Sequence, residues 1–124
     1  MKLTPVLIVE EIEKSLPFWV GRMGFEKTVD VPEGDRLGFV ILVREGAEVM
    51  LQTVESVGKD APQFVPKGQL NISSLFIEVD DFDDVRRRLD GYPIALAERK
   101  TFYGMLEVGV VEPSGNIVVF AARV

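Results

Sequence analysis

The chain has 124 residues, with 14 Lys or Arg against 20 Asp or Glu and a formal charge of −6. Such a surface repels phosphate backbones and anionic lipid, so neither nucleic acid nor membrane is an expected partner. There is no Cys and no His, which excludes disulfides, thiolate nucleophiles and metals held by sulfur or imidazole. Hydrophobic residues at 47% and charged residues at 27% describe a globular protein, and this length suits one domain.

The opening MKLTPVLIVEEIEK (1 to 14) turns acidic too soon and has too short an apolar run for a signal peptide or membrane span, so the cytoplasm is the expected compartment. Within LIVEEIEKSLPFWV (7 to 20) a strand meets two acids, Glu10 and Glu11, before Ile12 starts a helix. Pro17 lacks an amide hydrogen and is tolerated in a first turn, which places the helix start within about four residues before it. Gly21 and Gly24 are expected to close that helix, and the register from Ile12 puts Trp19 in the core. Three strand-like runs follow: FEKTVDV (25 to 31), LGFVILVRE (37 to 45) and AEVMLQTV (47 to 54). Glu45 and Gly46 form the hairpin turn between the last two. Two prolines and two glycines make ESVGKDAPQFVPKGQLN (55 to 71) a linker by composition.

Seventy residues after the first copy, FIEVDDFDDVRRRL (76 to 89) repeats the opening pattern, with Val79 under Val9 and Asp80 and Asp81 in place of the two glutamates. Phe82, Val85 and Leu89 share one helical face. Acids in the first turn and Arg86, Arg87 and Arg88 after them complement the helix dipole. Three more strands are IALAER (94 to 99), MLEVGVVE (105 to 112) and NIVVFAARV (116 to 124), the last two joined at Pro113, Ser114 and Gly115. The fold class is α+β: one domain, 1–124, built from two βαβββ units, 1–54 and 72–124, joined by the linker 55–71. Strand alternation sets Leu75, Ile77 and Val79 under the second helix and Ser74, Phe76 and Glu78 on the opposite face. The same parity sends Met50, Gln52, Ile117, Val119 and Ala121 to the side away from the helices.

A tandem βαβββ repeat of this length resembles the vicinal oxygen chelate superfamily. The resemblance rests on a helix carrying Glu13, Lys14, Ser15, Leu16, Phe18, Trp19, Met23, Gly24 and Phe25, and on the turn Glu112, Pro113, Ser114, Gly115, Asn116. That superfamily includes glyoxalase I, extradiol dioxygenases, epimerases, fosfomycin-resistance enzymes and bleomycin-resistance binding proteins. The resemblance implies two curved mixed sheets enclosing a pocket, helices on their convex sides, and a homodimer as in many relatives.

Metal-dependent members of the superfamily draw ligands from the first and last strand of each unit. Carried over by motif, those places fall on Thr4, Met50, Ser74 and Val119. Two weak hydroxyl donors, a thioether and an aliphatic chain cannot offset the dehydration of a divalent ion. Neither a metal nor another cofactor is therefore expected, and without the ion the superfamily's isomerase and dioxygenase chemistries lose their electrophile.

The expected function is metal-free binding of a small organic molecule, cationic or aromatic, as in drug or metabolite sequestration of the bleomycin-resistance type. Candidate contacts are Thr4, Phe39, Met50, Gln52, Ser74, Phe76, Glu78, Tyr103, Glu107 and Val119. Phe39, Phe76 and Phe102 are placed to stack on an aromatic ligand. Glu78 and Glu107, with catalytic roles unassigned, could hold a cation or act as a base, and solvent exposure at a sheet edge explains them equally well. Arg99 lies near the loop TFYG (101 to 104), where it could meet a ligand or close the loop. The alternative is a lyase, isomerase or dioxygenase-type enzyme of the same superfamily using a carboxylate base or an atypical metal site. A third reading is an interaction subunit whose pocket is filled with side chains.

Overall fold

The computed structural model describes residues 2–68, 70 and 73–124. Gln69 and Asn71 of the expected linker, and Met1 and Ile72, the first residues of the two expected units, lie outside the described residues. The chain divides into two compact units, Met1–Asn71 and Ile72–Val124. Among the described residues no helix is long and apolar enough to cross a membrane.

The first unit holds β1 (Val6–Val9), a π-helix (Pro17–Arg22), β2 (Glu26–Glu33), β3 (Arg36–Arg44), β4 (Ala47–Thr53) and helix α1 (Val54–Asp60). Its sheet runs β1-β4-β3-β2, with β1 parallel to β4 and the other pairs antiparallel. One face of this sheet is closed: Leu7, Val9, Val40, Leu42, Val49 and Leu51 are buried, as the alternation of each strand requires. Phe18 and Trp19 of the π-helix are buried with them, and Trp19 meets Phe18 and Phe25 edge-on at 5.2 and 5.1 Å between ring centroids.

Pro17 stands at the first helical position, where its missing N–H costs nothing. The Met23 amide bonds the Phe18 carbonyl five residues back, the wider pitch of a π-turn. Gly24, at φ 75°, then turns the chain out. Gly21, expected to help close this helix, is inside it. Glu45 and Gly46 both take positive φ, 47° and 86°, the pair of left-handed residues that a two-residue hairpin between twisted strands requires. At the sheet edge β2 is exposed along most of its length, blunted by Glu26, Lys27, Asp30 and Pro32 and by two register shifts.

The expected linker is helical at its start. Thr53 caps α1 by accepting the Ser56 amide at 3.1 Å, Glu55 sits in the first turn, Lys59 in the last, and Val57 is buried. Val54, expected at the end of a strand, is the first residue of this helix. A 3-10 turn, Pro62–Phe64, follows and leaves Phe64 exposed. The prolines and glycines drew the composition reading to a linker, but Pro62 and Pro66 stand beyond the last residue of α1, where they stop the helix rather than prevent it.

The second unit repeats the architecture with β5 (Ser74–Glu78), helix α2 (Phe82–Arg88), β6 (Leu96–Lys100), β7 (Met105–Val111) and β8 (Ile117–Arg123). Its sheet runs β5-β8-β7-β6, again with the first and last strands parallel. Asp81 caps α2 through the Asp84 amide, and Phe82, Val85 and Leu89 are buried as the helical spacing predicts. The arginine run is paired within its own surroundings. Arg86 lies over the Phe82 ring and bonds Asp83 and Glu98, while Arg88 reaches Asp84 at 2.8 Å.

The turn between β7 and β8 is held by Glu112, which is almost fully buried. Its carboxylate accepts the Asn116 amide (2.9 Å), the Asn116 side-chain NH2 (3.0 Å), the Ser114 amide (3.1 Å) and the Ser114 hydroxyl. Asn116 in turn accepts the Ser73 amide at 3.0 Å, tying this turn to the residue before β5. The turn motif is a structural knot. Glu112→Ala leaves these buried donors without an acceptor and is expected to lower unfolding free energy by about 3 kcal/mol, read as a shift in urea midpoint at unchanged slope.

Candidate functional site

Cross-strand partners share a face, so each sheet can be read in rows on the side away from its closed face. On the first sheet the rows are Val6, Met50, Ile41 and Ile8, Gln52, Phe39. Phe39, Met50 and Gln52 are half-buried there, and Val6, Val29 and Val31 are exposed. The Thr4 hydroxyl donates to Glu48 at 2.8 Å, and Lys2 reaches the same oxygen at 3.1 Å. Gln52 donates to the Ser56 hydroxyl of α1 at 3.1 Å.

On the second sheet three rows follow one another: Ser74, Ile117, Val111; then Phe76, Val119, Gly109, Leu96; then Glu78, Ala121, Glu107, Arg99. Gly109 is required in the middle row, because a Cβ there would stand 2.9 Å from the Leu96 Cβ. Between Leu96 and Arg99 the β6 register slips by one residue. This bulge brings Leu96 and Arg99 to the same face, although simple alternation would send them to opposite faces.

Arg99 therefore arrives above Glu107. Its Nε donates to Glu107 Oε1 at 2.7 Å, Nη2 stands 2.7 Å from the same oxygen as an ion pair, and the Tyr103 hydroxyl donates to Oε2 at 3.2 Å. Glu107 is 2% exposed, whereas the Arg99 side chain is 57% exposed. Phe102 stands fully in solvent beside Tyr103, their rings 5.1 Å apart and edge-on. The loop that presents them closes through the Thr101 amide and Met105 carbonyl at 2.7 Å and through Gly104 at φ 80°.

Thr4, Phe39, Met50 and Gln52 thus share one sheet face, while Ser74, Phe76, Glu78, Glu107 and Val119 share that of the other, joined by Tyr103 from the β6–β7 loop. Glu107 is not an exposed residue at a sheet edge: β7 is an inner strand, and the carboxylate is buried and compensated by Arg99. Glu78 is the accessible one, on the edge strand β5 and 3.8 Å from Arg123 in a solvent-exposed pair. Arg99, which the sequence placed only near the TFYG loop with a ligand contact or loop closure both open, comes to this face through the β6 bulge, which strand parity does not reveal.

Met50 and Val119 hold equivalent places, Val6 beside Met50 and Phe76 beside Val119. With Thr4 and Ser74 they present a hydroxyl already given to Glu48, a thioether, a second hydroxyl and an aliphatic chain. These residues do not fit a divalent ion, which needs several strong oxygen or nitrogen donors. Among the described residues no group of three or more His, Cys, Asp or Glu stands close enough to hold one.

Residues 3–120 match the family model of the Glyoxalase/Bleomycin resistance protein/Dioxygenase superfamily, and the chain belongs to that superfamily. Among solved structures it is similar to TioX from Micromonospora sp. ML1, with a TM-score of 0.80 and 17% identity over 100% of this chain and 99% of that one. It is similar also to lactoylglutathione lyase from Agrobacterium tumefaciens, with a TM-score of 0.75 and 16% identity over 98% and 92% of the two chains. A glyoxalase/bleomycin resistance protein/dioxygenase from Nocardioides gives a TM-score of 0.75 at 13% identity, over 100% and 84%. At these identities the likeness is one of fold. No curated protein sequence matches the chain.

Two measurements probe this geometry. Arg99→Ala leaves the buried Glu107 carboxylate without its cation and is expected to lower stability by about 3 kcal/mol, most of it regained in the neutral double variant Arg99→Gln/Glu107→Gln; urea unfolding of both variants reads this. The Glu48 carboxyl is held below its usual value of 4.5, first by the Thr4 hydroxyl and then by Lys2. A carboxyl depressed on folding contributes stability above pH 4.5 that is lost as pH falls through the folded value. Thr4→Val should therefore raise the Glu48 midpoint, followed by NMR at the side-chain carboxyl carbon, and make the acid limb of the stability curve shallower.

Proposed function

We propose that the protein binds a small organic molecule without a metal ion, sequestering a drug or metabolite in the manner of bleomycin-resistance proteins. The observation that carries this reading is the set Thr4, Met50, Ser74 and Val119, which lacks the carboxylate and imidazole donors that ion-dependent relatives supply. The face of the second sheet supports it with accessible aromatic and apolar surface: Phe76, Ile117, Phe102 and Tyr103 are all substantially exposed. Contiguous surface of that kind, bordered by a few placed polar groups, suits a ligand with an apolar body and a polar end. A carboxylate-base enzyme is less well supported, because Glu107 is already engaged by Arg99 and Tyr103. The same reading takes the protein as a homodimer, since each sheet ends in unpaired edge strands.

The test is thermal unfolding with chelator, with added zinc, nickel or manganese, and with a panel of aromatic metabolites and antibiotics. Ions and chelator are expected to leave Tm unchanged. A ligand at about 100 times its Kd should add about 2.7 kcal/mol and raise Tm. Stoichiometric metal that resists dialysis and raises Tm would overturn the metal-free reading. Light scattering at the mass of two chains would support the dimer.

A further inference from the structure

We infer that the β5–β8 face selects an aromatic carboxylate, with Arg99 taking the carboxylate and the Phe102 and Tyr103 rings flanking the aromatic body. This rests on the small-molecule reading above and narrows it to one ligand class. A guanidinium carries five N–H donors; Nε of Arg99 commits its one to Glu107, Nη2 stands 2.7 Å from the same oxygen, and both N–H donors of Nη1 stay clear of Glu107 on a side chain more than half exposed. Among the described residues no second carboxylate lies within 4 Å of it. The buried Glu107 holds the fork by two contacts to one oxygen, so Arg99 meets a ligand already oriented. Pre-orientation removes part of the ordering cost of binding, and a planar fork matches the two oxygens of a carboxylate.

The charge of the site points the same way. Glu107 has both oxygens occupied and almost no exposure, so a cationic ligand would have to displace Arg99 to reach it. Glu78 is accessible but sits in water with Arg123 nearby, where a new ion pair is worth little. The net charge of −6 opposes an anion only at long range, and salt screens it beyond about 8–10 Å. With two glutamates on the same row, a monoanion is favoured over a phosphate dianion. The apolar row Phe76, Val119, Leu96 borders the charged row on the side away from the Phe102–Tyr103 loop, so the neighbours of Arg99 along the sheet are apolar and offer a polar ligand end no competing partner. Tyr103, hydrogen-bonded to Glu107 and in ring contact with Phe102, ties the aromatic loop to the same anchor.

The experiment is calorimetric titration of 2-naphthoate, 2-naphthamide, 2-naphthylmethylammonium and 2-naphthyl phosphate into the wild-type protein and into Arg99→Gln/Glu107→Gln. The double variant leaves no buried charge unpaired, and its fold is checked by circular dichroism. Naphthoate is expected to bind the wild type about tenfold or more tightly than the amide, the size of a charge-assisted hydrogen bond. In the double variant that preference should vanish while amide affinity changes less than about twofold. Amide, ammonium or phosphate binding as tightly as naphthoate, or a preference that survives in the double variant, would overturn the inference and leave the small-molecule reading standing. Failure of all four compounds to bind would count against both for aromatic ligands.

Discussion

A β-strand sends successive side chains to opposite faces, and both units of this protein depend on closing only one of them. In each sheet one set of alternate residues is sealed into a core: Leu7, Val9, Val40, Leu42, Val49 and Leu51 in the first, Val108, Val110, Val118 and Phe120 in the second. The opposite set is left partly accessible. The side chains proposed to meet a ligand lie on those faces or on the loop beside them, where contact does not dismantle the core.

The two sheets use the accessible face differently. On the first, polar groups near the ends of the strands are spent on one another, Thr4 and Lys2 on Glu48 and Gln52 on Ser56, and the middle is Met50, Ile41 and Phe39. On the second, a buried acid anchors a half-exposed base, and aromatic rings stand beside it. Burying Glu107 alone would be costly. One guanidinium hydrogen bond, a second guanidinium nitrogen at ion-pair distance and a tyrosine hydroxyl compensate that cost, and the arrangement leaves unspent donors of Arg99 at the surface.

Register places Met50 and Val119 at equivalent points of the two sheets, where one presents a thioether and the other an aliphatic chain. The Glu112–Ser114–Asn116 turn holds the start of β8 and ties it to Ser73 before β5, a task of the fold and not of the site. Fold and function therefore separate cleanly by residue, and membership in the superfamily by itself specifies only the former.

Much of this was determined by sequence alone. Apolar periodicity, the repeat of Val9 over Val79, the Pro17 and Glu45–Gly46 signals and the Phe82, Val85, Leu89 spacing are local properties, and local sterics and alternation suffice to set strands, helices and the βαβββ order. Helix α1 was legible too, in the cap Thr53 and the acid-to-base order of Glu55 and Lys59, but the prolines that stop it obscured it. Only tertiary structure decided the site. A one-residue bulge between Leu96 and Arg99 has no local signature, yet it reverses the side to which Arg99 points; and although Glu107 lies only eight residues on, whether it is a free carboxylate or a neutralised anchor depends on that bulge, which parity counting does not register.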